Sequence, residues 1–475
     1  MADARALQAR LALQRHAFAC DPYPTAQVRR DRLARLATLT RNHRDEIIQA
    51  ISQDFGHRAE AETRLAEIAP LLQAVHHARR HVKRWMRPER AAVPWRLKPA
   101  SARLLHQPLG VVGIVAPAHF PWQLALLPAV AALAAGNRVM IKPSEHTPAT
   151  SKLMARLIAR HFAPEELCVM TGDAALGAAF AALPFDHLLF CGSAQNGREV
   201  AKSAAANLTP LTLALGGKSP VIVADDADLT HAARRIAFGK WFNAGQSCLA
   251  PDHVLIDASR VPAFIEALRE AVNTFYPDGT ASKDYTAILG APQRGRLLGM
   301  LEQAQDHGCR VIPLGVEQTQ QEAKLPPTLI IDPNEGLDVM REEIFGPWLP
   351  VIGVRDFDAA LALVNVDADG NDRAPSNTEA RPLALYAFTR DPARRQRILA
   401  QTPAGSVVFD DILWQGAAPT LPFVGVGGSG TGSYGGETGF RHFSHQRSVL
   451  SSSPRNTATR LVPPWRRWKL RLLGY

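Results

Sequence analysis

The chain contains 475 residues and has a formal net charge of +10, with 46% hydrophobic and 21% charged residues. This length exceeds what one small core can bury, so we expect two or three domains, and the composition excludes general disorder. The longest apolar segment, Leu124–Ala135, is too short to span a membrane and contains Pro128, and the N-terminal segment lacks an apolar signal-peptide core. We therefore predict a cytoplasmic protein with no integral membrane association.

The basic charge is concentrated in residues 79–90 and in a tail that runs from Arg455 to Arg471. We predict no nucleic-acid partner, because the sequence has neither zinc-finger spacing nor an RNP-like aromatic strand. Trp465 and Trp468 lie among the tail arginines, and we favour docking of this tail on a partner subunit over contact with a membrane surface. The five cysteines are scattered without a CxxC pair, so we predict neither a disulfide framework nor a metal site.

The N-terminal part of the chain has helical periodicity. Two sets of apolar residues each share one helical face: Ile47, Ile48, Ile51 and Phe55 in the first, and Leu65, Ile68, Leu72 and Val75 in the second. Between Pro88 and Leu105 the period is lost, and we expect a connection or an extended arm.

From Gly110 onwards, short apolar strands alternate with helices. The predicted strands are Val111–Val115, Arg138–Ile141, Leu167–Met170, His187–Cys191, Thr212–Leu215 and Val221–Ala224, and the predicted helices include Leu127–Ala135 and Thr147–Phe162, the latter capped by Thr147 or Thr150. This alternation predicts parallel βαβ units covered on both faces, an architecture typical of nucleotide-binding domains.

A second α/β segment follows, with a helix over Val261–Phe275 and strands near Val254 and Val351. The polar stretch from Asp367 to Arg381 is predicted to be an exposed loop. Glycines are dense between Val424 and Gly436, which indicates a backbone that turns tightly beside a ligand or another strand.

Three local patterns could carry chemistry. Cys248, in FNAGQSCLAPD, has small neighbours that leave room around a nucleophilic thiol, although a small buried cysteine is the alternative. A glycine turn at Gly192, Ser193 and Gly197 joins a strand to a helix and could hold a phosphate or be an ordinary tight turn. Lys142 and Glu145 follow another strand, where they could contact a ribose or lie in an exposed loop.

The ordered combination of segments is far more specific. QPLGVVGIVAPAHFPW, AAGNRVMIKPSEHTPA, FDHLLFCGSAQNG, LTPLTLALGGKSP, FNAGQSCLAPD, EEIFGP and LPFVGVGGSGTGSYGGETGFRHFSH occur in that order. Together they resemble the signature segments of the aldehyde dehydrogenase superfamily from about residue 20 to about residue 450. DFGHR, RWMRP and PLALYAFTRD resemble the coniferyl aldehyde dehydrogenase group, which is close to the class-3-like dimeric enzymes.

The resemblance implies an α/β fold with three parts. Residues 1–94 and 109–216 would form a Rossmann-type, parallel-sheet dinucleotide-binding domain, and residues 217–439 an α/β catalytic domain. Residues 95–108 and 440–475 would form a small oligomerisation arm with a C-terminal tail, and the partner would be a second copy in a homodimer.

The resemblance also implies a mechanism and a set of site residues. Cys248 would attack an aldehyde, pass a hydride to NAD or NADP, and leave a thioester that water hydrolyses to the acid. Lys142 and Glu145 match the positions that hold the adenosine ribose, and Ser193, in the turn between Gly192 and Gly197, matches the pyrophosphate contact. Glu343 and Phe345 match the residues that position the nicotinamide ribose and ring. Glu145 favours NAD, because a carboxylate accepts hydrogen bonds from a 2′-hydroxyl and repels a 2′-phosphate, while nearby Lys142 weakens this preference.

Several positions depart from the family pattern. Ala214 stands where the family has the glutamate that activates the hydrolytic water, and His119 stands where it has an asparagine that donates to the oxyanion. Ala118 and Val424 replace a usual tryptophan and a usual glycine. Because alanine cannot accept a proton, we expect impaired hydrolysis of the thioester. A neutral imidazole keeps one N–H donor, so His119 either replaces the asparagine in part or packs against the cofactor or a neighbouring helix.

These changes leave three interpretations. The first is an aldehyde dehydrogenase that oxidises an aromatic or bulky apolar aldehyde, with slow release of the acyl group. The second is a catalytically degenerate homologue that acts as a cofactor-binding or structural protein. In the third, a thiol such as coenzyme A accepts the acyl group, although no segment of the sequence marks a coenzyme A site.

Overall fold

A computed structural model describes residues 2–316, 323–365, 381–454 and 462–468. The helices are α1 (Ala2–Cys20), α2 (Ala26–Asn42), α3 (Arg44–Phe55), α4 (Glu60–Thr63), α5 (Ala69–Trp85), α6 (Gln123–Ala135), α7 (Pro148–His161), α8 (Ala174–Ala181), α9 (Ala194–Ala205), α10 (Leu229–Trp241), α11 (Val261–Phe275), α12 (Ala291–Asp306), α13 (Asp338–Arg341), α14 (Phe357–Val364), α15 (Pro392–Gln401) and α16 (Gly436–His442). The strands are β1 (Glu89–Ala91), β2 (Ser101–Pro108), β3 (Val111–Val115), β4 (Arg138–Lys142), β5 (Leu167–Val169), β6 (His187–Gly192), β7 (Leu211–Leu215), β8 (Pro220–Val223), β9 (His253–Asp257), β10 (Arg310–Pro313), β11 (Thr328–Ile331), β12 (Trp348–Val354), β13 (Ala384–Phe388), β14 (Ser406–Phe409), β15 (Phe423–Val424), β16 (Gly430–Thr431), β17 (Ser433–Tyr434) and β18 (Ser444–Ser451).

The first sheet has the strand order β16-β7-β6-β3-β4-β5. Strands β3 to β7 are parallel, and only β16 runs antiparallel, where Gly430 pairs with Ala214. After β3, the chain adds β4 and β5 on one side of that strand and then adds β6 and β7 on the other side. The strand order therefore reverses between β3 and β6. In open α/β sheets, ligands bind at such a reversal, outside the carboxyl ends of the strands.

The second sheet has the order β10-β11-β12-β9-β8-β13-β14. All of its neighbours are parallel except β10 and β11. The chain passes from the first sheet to the second through Gly216 and Gly217, directly after β7. Each sheet is covered by helices, and each has its own large apolar core. The α/β fold class predicted from the sequence is therefore confirmed.

A third, small sheet is antiparallel, with the order β1-β2-β18. Strand β18 pairs with β2 over eight residues, from Ser444 opposite Pro108 to Ser451 opposite Ser101. The extended arm predicted before Leu105 and the segment after Phe440 thus meet in one sheet. Among the described residues, no helix combines the length and apolar character needed to cross a membrane.

Most predicted elements occur with small shifts in their ends, and β3 and α11 have the predicted bounds. Two details were wrong. The Thr147 side chain makes no capping hydrogen bond at α7; instead the Asp54 carboxylate accepts from Ala149 N and Thr150 N, both at 2.8 Å. Leu65 is 40% exposed, because a π-helical turn over Arg64–Ile68 shifts the face that this segment buries. Nearly all of the loop predicted from Asp367 to Arg381 lies outside the described residues.

Candidate active site

The residues predicted to contact the adenosine ribose and the pyrophosphate lie at or just after the carboxyl ends of β4 and β6, the two strands that flank β3 in the first sheet. Lys142 is the last residue of β4, and Ser193 directly follows β6. The buried Lys142 ammonium pairs with the Glu145 carboxylate three residues later. Partial burial works against ionisation of this carboxyl, but the hydrogen bond and charge of Lys142 hold the pKa of Glu145 below its usual value. A cation and an ionised carboxylate thus lie at the carboxyl end of β4 and just after it, and β4 is next to β3 in the sheet.

The glycine turn after β6 leads into the N-terminus of α9. Ser193 is the N-cap of this helix, and its hydroxyl accepts from Asn196 N at 3.3 Å. A Cβ on Gly192 would lie 2.6 Å from the Phe190 ring, and one on Gly197 would lie 2.7 Å from the Leu215 side chain. Close packing therefore requires both glycines, and it brings an amide-rich helix end to the strand ends. Such an end suits a phosphate group, so these residues fit the dinucleotide implied by the sequence.

The cysteine segment follows a rare backbone conformation. Three consecutive residues, Asn243, Ala244 and Gly245, have positive φ angles of 54°, 51° and 77°. A Cβ on Gly245 would lie 2.1 Å from the carbonyl oxygen of Gly346, so only glycine permits this approach. The close contact joins the loop that bears Cys248 to the loop that bears Glu343. The buried Glu62 carboxylate stabilises the left-handed turn by accepting from Asn243 N at 2.9 Å.

Cys248 is half-buried, at the inner end of an apolar pocket. Burial raises the pKa of its thiol well above the usual value, and Cys191 and Glu343 add to this rise. The resting form of Cys248 is therefore the thiol. Nucleophilic attack requires the thiolate, so activation needs a nearby positive charge or proton acceptor that appears when reactants bind.

The segment that bears Glu343 is held firmly. Arg296 Nη1 donates to the Glu343 carbonyl at 3.2 Å, Ile344 N donates to Asp252 Oδ1 at 3.1 Å, and Phe345 has a positive φ of 50°. Burial and, next to it, the charge of Asp252 raise the pKa of the Glu343 side chain to about 8, against the opposing effects of Arg296, the Gly217 backbone N–H and Lys218. Its Oε1 atom is buried and has no hydrogen-bond partner among the described residues. A polar atom in this position is available to a ligand or a water molecule.

His119 lies between aromatic rings. Its imidazole packs edge-on against Phe345 and Phe120, with ring centroids 5.1 and 5.2 Å apart. Burial, together with the charge of Arg58, lowers the pKa of His119 to about 3, so the ring is neutral at ordinary pH. Its buried Nε2 atom has no partner within the described part of the chain. The structure thus combines the two alternatives for this residue, because the ring is packed and still has a free nitrogen.

Ala214, in β7, is buried beside Cys191, and Cys191 is close enough to Cys248 to affect the pKa of its thiol. It lies directly opposite Cys191 on the neighbouring parallel strand, so both side chains point to one face of the sheet. Ala214 is 5% exposed and packs in the apolar core that also contains Cys191 and Tyr434. The strand therefore presents a methyl group, which can neither bind nor deprotonate a water molecule.

The pocket in front of Cys248 is apolar, and its empty space amounts to about 710 Å³ when the open solvent at its mouth is included. Five aromatic side chains line it: Phe120, Phe238, Phe242, Trp414 and Phe423. Phe238 and Trp414 are stacked at 14°, and Trp414 is 44% exposed. Leu65 also lines this pocket, which explains why an apolar residue at a predicted buried position is open to solvent.

Sequence reasoning missed the charged groups beneath the site. Arg58 and Glu67 form an ion pair at 2.7 Å with both side chains fully buried, and Arg58 also donates to the His119 carbonyl at 3.3 Å. Arg58 lies in the DFGHR segment, which contributed to the resemblance but suggested no role. The sequence offered one hint of these buried charges, because Glu62 and Glu67 lie in helical segments with apolar neighbours. The spacing of two glutamates in a helix does not by itself predict that they are buried.

Comparisons with known proteins agree with this geometry. The family model described as "Aldehyde dehydrogenase family" matches residues 2–449. A "Probable coniferyl aldehyde dehydrogenase" of Pseudomonas aeruginosa is 45% identical over 459 residues, covering 97% of this chain and 94% of the relative. A "Coniferyl aldehyde dehydrogenase" of a Pseudomonas species is 43% identical over 434 residues, covering 90% and 87%. The solved structure titled "Substrate bound state of Staphylococcus Aureus AldH" has a TM-score of 0.90 and 32% identity, covering 98% of both chains.

Proposed function

Because the chain belongs to the aldehyde dehydrogenase family, we propose that it oxidises aromatic or other bulky apolar aldehydes, of the coniferyl aldehyde type, to carboxylic acids. The observation that carries this proposal is the aromatic pocket that ends at Cys248. A pocket lined by five aromatic rings favours a flat apolar substrate and offers little to a small hydrophilic aldehyde. The relatives named for coniferyl aldehyde support the same substrate class.

In the proposed mechanism, the Cys248 thiolate adds to the aldehyde carbon and forms a thiohemiacetal. The chemistry supplied by bound NAD or NADP is acceptance of the hydride from this intermediate. A neutral His119 donates one N–H hydrogen bond to the developing oxyanion, which requires the proton to reside on Nε2. The thioester that remains on Cys248 is then hydrolysed to the acid.

We assign the dinucleotide to the crevice at the carboxyl ends of β3, β4 and β6. Lys142 and Glu145 bind the adenosine ribose, and the turn of Gly192, Ser193 and Gly197 binds the pyrophosphate at the N-terminus of α9. Glu343 and Phe345 position the nicotinamide ribose and ring. The ionised Glu145 favours NAD, because it repels a 2′-phosphate.

We further propose that thioester hydrolysis is slow. Ala214 supplies no base at the position where the family has a glutamate, and a positioned general base contributes roughly 10²–10⁴-fold to a rate. The substitution leaves aldehyde attack and hydride transfer untouched, because neither step uses that glutamate. An enzyme with this defect oxidises its substrate once per site quickly and then turns over slowly.

We divide the chain into the domains that the sequence predicted. Residues 1–94 and 109–216 bind the dinucleotide, residues 217–439 carry the catalytic cysteine, and residues 95–108 and 440–475 mediate a homodimer. The position of β18 supports the last assignment. Among the described residues it is an edge strand with mostly exposed side chains, and such an edge is suited to pairing across a two-fold axis.

The test follows the near-ultraviolet absorbance of reduced nicotinamide with NAD or NADP. Benzaldehyde and cinnamaldehyde are compared with acetaldehyde, each with and without coenzyme A, and Cys248→Ser is the control. We expect signal with the aromatic aldehydes only, no requirement for coenzyme A, and loss of the signal in the control. Absence of both turnover and calorimetric binding of either dinucleotide at millimolar concentration would instead identify a structural homologue. A rate that depends on coenzyme A would show that coenzyme A, and not water, accepts the acyl group.

A further inference from the structure

We infer that Glu343 is a catalytic residue in hydrolysis of the Cys248 thioester, where its carboxylate takes a proton from the attacking water. This inference rests on the proposed function, because it presupposes an acyl group on Cys248. It gives Glu343 a task beyond contact with a nicotinamide ribose. It also explains how a site with Ala214 at the base position can still release its product.

The first support is the position of the carboxylate relative to Ala214. A Cβ placed on Gly216 would lie only 1.8 Å from Glu343 Oε2, so the carboxylate occupies the side-chain space of Gly216. Gly216 follows Ala214 by two residues, just after the end of β7, and Glu343 is close enough to raise the pKa of the Cys191 thiol, which lies opposite Ala214 on β6. The Glu343 carboxylate therefore lies beside the site of the missing family glutamate.

The second support is the unused hydrogen-bonding capacity of the carboxylate. Oε1 is buried and finds no partner in the described residues, although a buried carboxylate oxygen ordinarily accepts a hydrogen bond. Glu343 is also close enough to Cys248 and Cys191 to raise the pKa of both thiols. A water molecule that donates to Oε1 would thus stand near the acyl carbon on Cys248.

The third support is the fixed surroundings of this side chain. Arg296 holds the Glu343 and Ile344 carbonyl groups, and Gln293 Nε2 donates to the Phe345 carbonyl at 2.9 Å. On the other side, Gly245 packs against the Gly346 carbonyl. The backbone is therefore anchored, and the carboxylate accepts a hydrogen bond from the Gly217 backbone, while Oε1 has no partner among the described residues and can accept from water, which suits a positioned base.

The proposed step balances as a hydrolysis. Glu343 accepts a proton from water as the water oxygen bonds to the acyl carbon. The carbon–sulfur bond breaks, the carboxylic acid forms, and the proton on Glu343 returns to the Cys248 sulfur. No oxidant or reductant is consumed, and both side chains return to their starting forms.

The charges around Glu343 determine how this step depends on pH. The titratable groups that face it are Asp252, Arg296, Lys218, Lys240, Cys191 and Cys248. Burial and Asp252 keep the pKa of Glu343 at about 8, above its usual value, so the carboxyl is protonated and inactive as a base below that pH. Hydrolysis should therefore become faster as pH rises through about 8 and level off above it.

The test uses hydrolysis of p-nitrophenyl acetate by the full chain without any nicotinamide cofactor, so that binding of a ribose plays no part. A burst of p-nitrophenolate reports acylation of Cys248, and the following linear phase reports hydrolysis of the acetyl thioester. Glu343→Gln removes the base with little change in shape. Glu342→Gln, at the exposed neighbouring glutamate, is the matched control, and Cys248→Ser removes the nucleophile.

We expect Glu343→Gln to keep the burst and to lower the linear rate by roughly 10²-fold, with loss of the rise through pH 8. Glu343→Asp should retain part of the rate, and Glu342→Gln should match the unmodified chain. An unchanged linear rate in Glu343→Gln would overturn the inference alone, as would loss of the burst in a folded Glu343→Gln variant. No burst in the unmodified chain would overturn the proposed thioester, and the inference with it.

Discussion

Arg58 and Glu67 form an ion pair, at 2.7 Å between Nη1 and Oε1, directly beneath the active-site chamber. The second Glu67 oxygen accepts from Trp122 N and Gln123 N, at 3.0 and 2.8 Å, at the start of α6. Arg58 in turn donates to the His119 carbonyl. Burial raises the pKa of Glu67, and the charge of Arg58 and the two amide donors oppose that rise. The pair thus anchors the loop between β3 and α6 at His119 itself and at the loop's C-terminal end.

Replacement of Glu67 by glutamine should therefore destabilise the fold and slow acylation. The change leaves the Arg58 charge buried without its counter-ion, which costs about 3–5 kcal/mol in comparable buried pairs. Urea denaturation measures the loss of unfolding free energy, and the burst rate measures the displacement of His119. The control is Glu60→Gln, which removes an exposed pair with Arg64 and should change neither quantity appreciably. Equal effects from the two variants would contradict this account of the buried pair.

Trp414 should determine preference for aromatic aldehydes. Its ring stacks on Phe238 at the mouth of the pocket and is 44% exposed, so alanine at this position removes contact area without opening the core. We expect Trp414→Ala to raise KM for cinnamaldehyde by about 2- to 13-fold, since one aromatic contact is worth about 0.5–1.5 kcal/mol. The KM for propanal should stay nearly constant. Steady-state kinetics with both aldehydes measure the ratio, and a parallel change in the two KM values would argue against a specificity role.

The first sheet was predictable from local pattern because buried parallel strands appear as short apolar segments between helices. The strand Val111–Val115 illustrates this, because its predicted bounds match those in the structure. Family segments added the positions of Lys142, Ser193 and Cys248 at the strand and helix ends. The positions of these three residues were predictable because each depends only on a short segment of the chain around it.

Contacts between distant segments were not predictable. Asp54 caps α7 from 95 residues away, and the local sequence around Thr147 and Thr150 gives no sign that a distant carboxylate takes this role. The π-helical turn that exposes Leu65 depends on packing around the pocket, and helical periodicity cannot show it. The approach of Glu343 to Gly216 joins two segments that are 127 positions apart in the sequence. Only the folded structure therefore shows that this carboxylate lies near the end of β7.

His187 should make the fold sensitive to acid. Its Nε2 bonds to Thr212 Oγ1 at 2.7 Å, and that oxygen also contacts His442 Nε2 at 2.7 Å. Burial, with His442 nearby, lowers the pKa of His187 to about 3, against about 6.5 in an unfolded chain. Between these values only the unfolded state binds the proton, so stability is present above pH 6.5 and is lost as pH falls towards 3.

From pH 7 to pH 5.5 this one group should lower the free energy of unfolding by about 1 kcal/mol. Urea denaturation at both values measures the decrease, and His187→Gln should show a decrease smaller by that amount. His307→Gln, at an exposed site, is the matched control. Identical pH dependence in the unmodified chain and in His187→Gln would refute the assignment.

The unmodified chain should show a burst of reduced nicotinamide with an aromatic aldehyde. Thioester formation requires Cys248 and a hydride acceptor, while hydrolysis proceeds without a glutamate at position 214. We expect up to one equivalent of reduced nicotinamide per site, followed by a slow linear phase. Mass spectrometry of the quenched protein should find the acyl group on Cys248. Rapid linear turnover without a burst would show that hydrolysis is not the slow step.

Ala214→Glu should accelerate the linear phase and leave the burst amplitude unchanged. The new carboxylate would project from β7 into the chamber that contains Cys248, in reach of the same water that we assign to Glu343. A base there should raise the steady rate by roughly 10²-fold if hydrolysis limits turnover. Ala214→Gln is the matched control, because it adds the same bulk without a proton acceptor and should give no gain.

Two buried carboxylates in one chamber also repel each other, so one of them should hold a proton near neutral pH. The acceleration should therefore be visible at pH 7, where Glu343 alone is largely protonated. Equal rates in the glutamate and glutamine variants would show that the missing base at position 214 does not limit this enzyme.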